Sequence, residues 1–329
     1  LVATCSAPLL SPVPPLVALV AEVLRPLTDV DLNEGSTNVS DVVTNAEAGT
    51  TLRFTAGTVA DALTVDKSLT FSGVNRGVSQ NHAQTVDEEN ATQLGATFTV
   101  DNAEADVVLD GVDFTENGYI VVNNAKSVTI KNARFYGLAD TAAKTYPIKI
   151  SSTNPVKVDI QNCYFGDSPA GTTGQVYNII EPNAPMKDGS VISNNYFTRG
   201  ALSHNCISVY QVEEGATIRI ENNTFGFSDG TVRIGVQGSP ACTFEINNNT
   251  VLEIDEGNPT YQGLVLVQPY GKQTATFANM VINMANNTMP CEQQIYTYYG
   301  TNDLVLTREN LPQITVDGEN ITQTVAIVH

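Results

Sequence analysis

Eight times between residues 107 and 311 this chain returns to one eight-residue phrase, and that repetition constrains the fold more than any other feature. The copies fall at 107–114, 128–135, 158–165, 190–197, 218–225, 244–251, 282–289 and 304–311. In register, the third position is always apolar (Leu109, Ile130, Ile160, Ile192, Ile220, Ile246, Met284, Leu306), and the first is apolar in all but Ser190. The residues between them are mostly polar, an alternation that predicts a strand with one buried face. The fifth position reads Gly111, Asn132, Asn162, Asn194, Asn222, Asn248, Asn286 and Arg308. Asparagine tolerates the left-handed backbone of a tight bend, so the strand should end there. With parallel strands about 4.8 Å apart, the amides of those six asparagines are expected to hydrogen-bond from turn to turn as a ladder. The eighth position holds Phe114, Phe135, Phe165, Phe197 and Phe225, then Val251, Met289 and Leu311, which predicts an apolar stack beside the ladder.

The copies recur every 21 to 38 residues, the variable period of a solenoid whose turns share a core but differ in loop length. A second family of short apolar strands falls between them, at 119–122, 148–150, 177–180, 206–209, 232–236, 264–267 and 295–298, so each turn holds at least two strands. The expected class is therefore all-β, a single elongated coil over residues 36–316, with 317–329 as a tail or capping strand. In that coil Phe197→Ala should cost about 3 to 5 kcal/mol, and Asn222→Ala about 1 to 3 kcal/mol through unsatisfied ladder partners.

Composition excludes several functions. Charged residues are 16% of the chain and the formal net charge is −19, whereas a nucleic-acid partner demands a basic stripe to displace counterions and an anionic membrane surface repels such a chain. No apolar run reaches the length of a membrane span. The five cysteines, Cys5, Cys163, Cys206, Cys242 and Cys291, are widely spaced with no C-x-x-C pair, and the three histidines lie far apart. No metal and no cofactor are expected from such spacing. Sequon-like triplets at Asn222, Asn248 and Asn286 coincide with the ladder and are read as structural.

Residues 1–35 differ from the rest. Five prolines surround an apolar stretch containing Leu16, Val17, Leu19, Val20, Val23 and Leu24, a composition that implies a covered docking or oligomer arm. A short helical pattern at 38–48, with Val39, Val42, Val43 and Ala46 on one side, should plug the open end of the coil. The phrases that follow, Gly49-Thr50-Thr51-Leu52-Arg53-Phe54-Thr55-Ala56-Gly57-Thr58 and Lys67-Ser68-Leu69-Thr70-Phe71-Ser72-Gly73, resemble the opening turns of the pectin-lyase-like superfamily. That resemblance, over roughly 36–316, implies a single-stranded right-handed parallel β-helix. A narrower likeness, in Ile207-Ser208-Val209-Tyr210, Glu214-Gly215-Ala216-Thr217 and Gly263-Leu264-Val265-Leu266-Val267-Gln268-Pro269-Tyr270-Gly271, is to β-helical virion structural proteins of tailed bacteriophages. The polar, acidic segment 75–95 reads as an excursion from the coil.

Superfamily members that cleave polysaccharides carry their catalytic groups on an outward strand face. A lyase needs carboxylates that hold calcium and a basic residue for the α-proton; a hydrolase needs two carboxylates at a fixed separation. The outward positions of the phrase instead pair opposite charges, Asp110 with Lys131 and Arg219 with Glu245. The acidic groups Asp101/Glu104/Asp106, Glu213/Glu214 and Glu253/Asp255/Glu256 fall in expected turns, where weak calcium binding is the alternative to plain solvation. There is no tryptophan, which leaves Tyr296, Tyr298 and Tyr299 as the best aromatic platform or as an aromatic cover for the coil's end. The expected function is thus non-enzymatic: a virion surface protein, a capsid decoration or head fibre, attached to capsid or other virion proteins by its arm. Homo-oligomerisation and contact with a host-surface glycan fit the same picture. The alternatives are a polysaccharide lyase, hydrolase or tailspike-type depolymerase, and an extracellular bacterial surface adhesin lipidated at Cys5.

Overall fold

A computed structural model describes residues 26–33, 37–81, 90–115, 118–136, 146–166, 176–198, 202–226, 231–254, 263–269, 276–298 and 304–328. Its strands form three long sheets of twelve, ten and eight strands. Neighbours in each sheet come from successive turns of one coil. The repeat phrase supplies the first sheet. Its third-position residues are register partners in an unbroken file, Phe71 on Leu109, Ile130, Ile160, Ile192, Ile220, Ile246 and Met284. All of them are buried. Every pairing is parallel until the last hairpin, where Thr315 and Val316 meet Asn320 and Glu319 antiparallel. This is a parallel β-helix, and its crossovers take the right hand that twisted parallel strands favour.

The phrase bends at its fifth residue. Asn132, Asn162, Asn194, Asn222, Asn248 and Asn286 all hold φ between 55° and 58°, the left-handed region that asparagine enters more readily than other side-chain-bearing residues. The chain leaves the bend as a short strand of the third sheet, such as Arg134–Phe135 or Tyr196–Phe197. It then crosses to the second sheet, whose strands Ile120–Asn124, Ile148–Ile150 and Val265–Val267 match the second family read from the sequence. Each turn therefore carries three strands.

The helix Val39–Asn45 closes the start of the coil. Asn38 caps it by accepting from the Asp41 backbone at 3.3 Å, Val39 and Val43 are buried, and Lys67 Nζ donates to the Thr44 carbonyl at 2.8 Å near the helix C-terminus.

Three expectations are corrected. The arm does not extend to residue 35, because Leu27–Val30 is already a strand of the first sheet, paired with Thr51–Phe54. The excursion is shorter than 75–95, since Thr92–Leu94 belongs to the third sheet beside Gly57–Val59. The last copy is not 304–311: the strand that stacks on Met280–Ala285 is Gln313–Val316, with Ile314 on Ile282 and Val316 on Met284. Leu306 and Leu311 do reach the core, but from turns.

Candidate functional site

The corner between the first and third sheets carries the side chains on which rigidity depends. The five phenylalanines stack with ring centroids 4.5, 4.9, 4.7 and 5.0 Å apart, and interplanar angles of no more than 14°. All five are fully buried. The amides are arranged differently from the expectation. Asn132 Nδ2 donates to Asp110 Oδ1, Asn162 to Asn132 and Asn194 to Asn162. Among the described residues, no amide-to-amide bond continues that file through Asn222, Asn248 and Asn286.

The buried ladder runs one position later. Asn195, Asn223, Asn249 and Asn287 link Nδ2 to Oδ1 at 3.0, 3.0 and 3.1 Å. Each Oδ1 also accepts the backbone N–H of the preceding turn, from Cys163, Asn195, Asn223 and Asn249 in order. Each Nδ2 donates once more to a strand carbonyl, of Ile160, Ile192, Ile220 and Ile246. The left-handed bend resets the alternation, so the residue after it points inward. Where the column is apolar it reads Val112, Ala133 and Cys163, all buried.

Residues 73–81 form a strap across this corner. Gly77 N donates to Asp110 Oδ1 at 3.1 Å, Gln80 N to the Asn162 carbonyl at 2.9 Å, and Asn81 Nδ2 to the Asn194 carbonyl at 3.0 Å. On the third sheet lies a closed ion pair, Arg134 to Asp113, with Nη2 at 2.8 Å and Nε at 3.1 Å from Oδ2. Arg134 N donates to Oδ1 at 3.0 Å. Arg134 is 1% and Asp113 0% exposed. Burial pushes the Asp113 carboxyl up from its ordinary value, with the Arg134 guanidinium pulling against it.

A second polar group was missed in the sequence and lies on the outward side of the second sheet. Register places Lys149 beside Glu181, and Ser208 beside Arg233, Leu266 and Tyr296 in turn. Ile180 pairs with Ile207, which brings Glu181 and Ser208 to the same level of adjacent strands. Asn178 Nδ2 donates to Glu181 Oε2 at 2.6 Å and to Tyr210 Oη at 3.5 Å, and the Arg233 guanidinium lies 5.4 Å from the Tyr210 ring centroid. Asn178, Glu181, Asn205, Ser208 and Tyr210 are all buried. The strand family was visible in the sequence; its outward residues, Lys149, Ser208 and Arg233, were the signal. Among the described residues, this column brings one carboxylate, Glu181, together with donors and acceptors held at strand spacing.

The remaining candidates are dispersed. Asp110 does pair with Lys131 at 3.1 Å; Arg219 is in register with Glu245, but Glu245 accepts from Asn283 Nδ2 at 2.8 Å. Asp101 accepts from Asn124, Asp106 from Lys126 and Ser127, and Glu214 from Ala241 N. Asp255, Glu256, Tyr299, Cys5, His82 and His329 lie outside the described residues, as do the arm residues Leu16, Val17, Leu19, Val20, Val23 and Leu24. Among the described residues no group of three His, Cys, Asp or Glu side chains could hold a metal. Tyr296 lines the outward column of the second sheet, and the strand Ile327–Val328 adds beyond Thr297–Tyr298. Among the described residues, no helix is long and apolar enough to cross a membrane.

The stacked strands define the class, a parallel β-helix solenoid. Comparison with protein-family models, curated proteins and solved structures returns no match.

Proposed function

We propose that this protein is a non-enzymatic structural protein, displayed on the surface of a large particle and attached through its N-terminal arm. The resemblance to β-helical virion proteins of tailed bacteriophages makes a capsid decoration or head fibre the preferred setting. The observation that carries the reading is the continuity of the coil: a twelve-strand sheet with a five-ring stack beside it. Such a rod transmits load and resists local opening, because each turn is held by the turns on both sides. The net charge of −19 keeps densely displayed copies apart. The test is deletion of residues 1–25, which spares the strand Leu27–Val30. The truncated protein should keep its circular dichroism and melting temperature yet no longer co-sediment with the particle. Undiminished co-sedimentation would refute attachment through the arm.

A second reading, a glycan-directed protein of the depolymerase kind, is favoured by the column Lys149, Glu181, Ser208 and Arg233 with Tyr210 beside it. Incubation with bacterial capsular polysaccharide decides it: new unsaturated or reducing ends that vanish in Glu181→Gln would replace the first reading.

A further inference from the structure

We infer that the bends at Asn222, Asn248 and Asn286 form a docking row for an extended, donor-rich peptide of a partner protein, seated as the strap is seated on the other half of the same corner.

The strap shows how these bends hold a peptide. Gly77 N donates to Asp110 Oδ1, Gln80 N to the Asn162 carbonyl and Asn81 Nδ2 to the Asn194 carbonyl, so in all three bonds the coil is the acceptor. Gln80 and Asn81 are buried against the coil. From the turn of Asp110 to that of Asn194 is about 14 Å at about 4.8 Å per strand, and the four residue steps from 77 to 81 cover about 13 Å when extended. The strap therefore climbs the coil along its axis. Beneath it the outer amides are tied to one another, Asn194 to Asn162 and Asn162 to Asn132.

Beyond Asn194 the same bend recurs three times with nothing seated on it among the described residues. Asn222, Asn248 and Asn286 hold φ of 58°, 57° and 56°, against 58° and 56° at Asn162 and Asn194. The buried ladder Asn195, Asn223, Asn249 and Asn287 stacks these bends in line, one residue after each. The three outer side chains are exposed. Their amides and their backbone carbonyls have no hydrogen-bond partner among the described residues. Glu221 and Asn247 precede Asn222 and Asn248 in adjacent, in-register strands, and Asn247 Oδ1 is buried without a partner. The row is thus rich in acceptors and short of donors, the polarity that the strap satisfies on its own half. A peptide of about five extended residues spans it. This docking does not depend on attachment through the arm, and its test needs no particle.

The probe is a synthetic peptide of the strap's own sequence, Gly73-Val74-Asn75-Arg76-Gly77-Val78-Ser79-Gln80-Asn81, carrying a photoreactive group and irradiated with the full chain. Peptide mass mapping should show saturable labelling at residues 222–224, 248–250 and 286–288, several-fold above a scrambled peptide. Asn248→Gly preserves the bend and its carbonyl and should retain labelling. Thr250→Trp, which fills the outward position beside the row, and Glu221→Lys, which removes an acceptor and adds a like charge, should each reduce it several-fold with the circular dichroism of the coil unchanged. Labelling no greater than with the scrambled peptide, labelling confined to the turns of Asn162 and Asn194, or labelling indifferent to both variants in folded protein would overturn the inference. Saturable binding of a capsular oligosaccharide at these bends, with no peptide labelling, would overturn it in favour of a glycan. Loss of particle attachment in the arm deletion and loss of this labelling are separately readable.

Discussion

Asn223 holds Asn249 twice through one oxygen: its backbone N–H and its Nδ2 both donate to Asn249 Oδ1 at 3.0 Å. Asn222, its neighbour in sequence, donates its backbone N–H to the Asn247 carbonyl and supplies a left-handed φ of 58°. Two adjacent asparagines thus do different physical work, and substitution separates them. Asn223→Ala leaves a buried carbonyl and a backbone N–H without partners and should cost about 2 to 5 kcal/mol, near the sum of two unsatisfied groups. Asn222→Gly should cost well under about 1 kcal/mol, since glycine enters the left-handed region freely. Urea denaturation of both variants checks this; equal losses would contradict it.

Phe197 lies between Phe165 at 4.7 Å and Phe225 at 5.0 Å, fully buried. Phe197→Ala should destabilise by about 3 to 5 kcal/mol, because the rigid turns on either side cannot collapse into the space. Phe197→Leu should recover more than half of that in the same denaturation experiment.

Breaking the Arg134–Asp113 pair strands a charge in a site that water does not reach. Arg134→Met should cost about 3 to 5 kcal/mol at neutral pH, and the double variant Arg134→Met/Asp113→Leu markedly less. The pH dependence has a definite sign. The fold already raises the Asp113 carboxyl above its ordinary value through burial, so ionisation of this group weakens the native state as pH rises through the window between unfolded and folded values. Removing the guanidinium widens that window upward. The single variant should therefore regain stability as pH falls from 7 toward about 4, relative to the parent protein. Parallel pH profiles for the two proteins would refute it.

Cys163, Cys206 and Cys242 are buried, and burial pushes the Cys163 and Cys242 thiols up to about 12. Cys206 is raised well above its ordinary value by burial as well. Native protein at pH 8 should leave all three unlabelled by a maleimide, with Cys291 reacting first among the described cysteines, and all should react on unfolding. Peptide mass mapping after a short pulse reads the order.

The first sheet was legible because its signal is local: alternation fixes which residues point inward, and the asparagine or glycine after it marks the bend. The ladder was displaced by one because asparagine stands at both candidate positions in Asn194-Asn195, Asn222-Asn223, Asn248-Asn249 and Asn286-Asn287. Only the backbone turn decides which member of each faces the core. The file Val112, Ala133, Cys163 before them was the available clue. Copies at 304–311 and 313–316 compete on pattern alone, and pairing with Met280–Ala285 chooses between them. The column Lys149, Glu181, Ser208, Arg233 was harder to see, since its members are separated by loops of unequal length and align only once the register is known.

The strap gives the molecule a memory of its own synthesis. Asn81 is made 113 residues before the carbonyl it binds on Asn194. The strap can therefore fasten to Asp110 and then to Asn162 as those turns emerge from the ribosome, but its last bond waits for the third asparagine bend, at Asn194. That corner therefore closes in chain order, and a chain interrupted before residue 194 carries an unfinished seam.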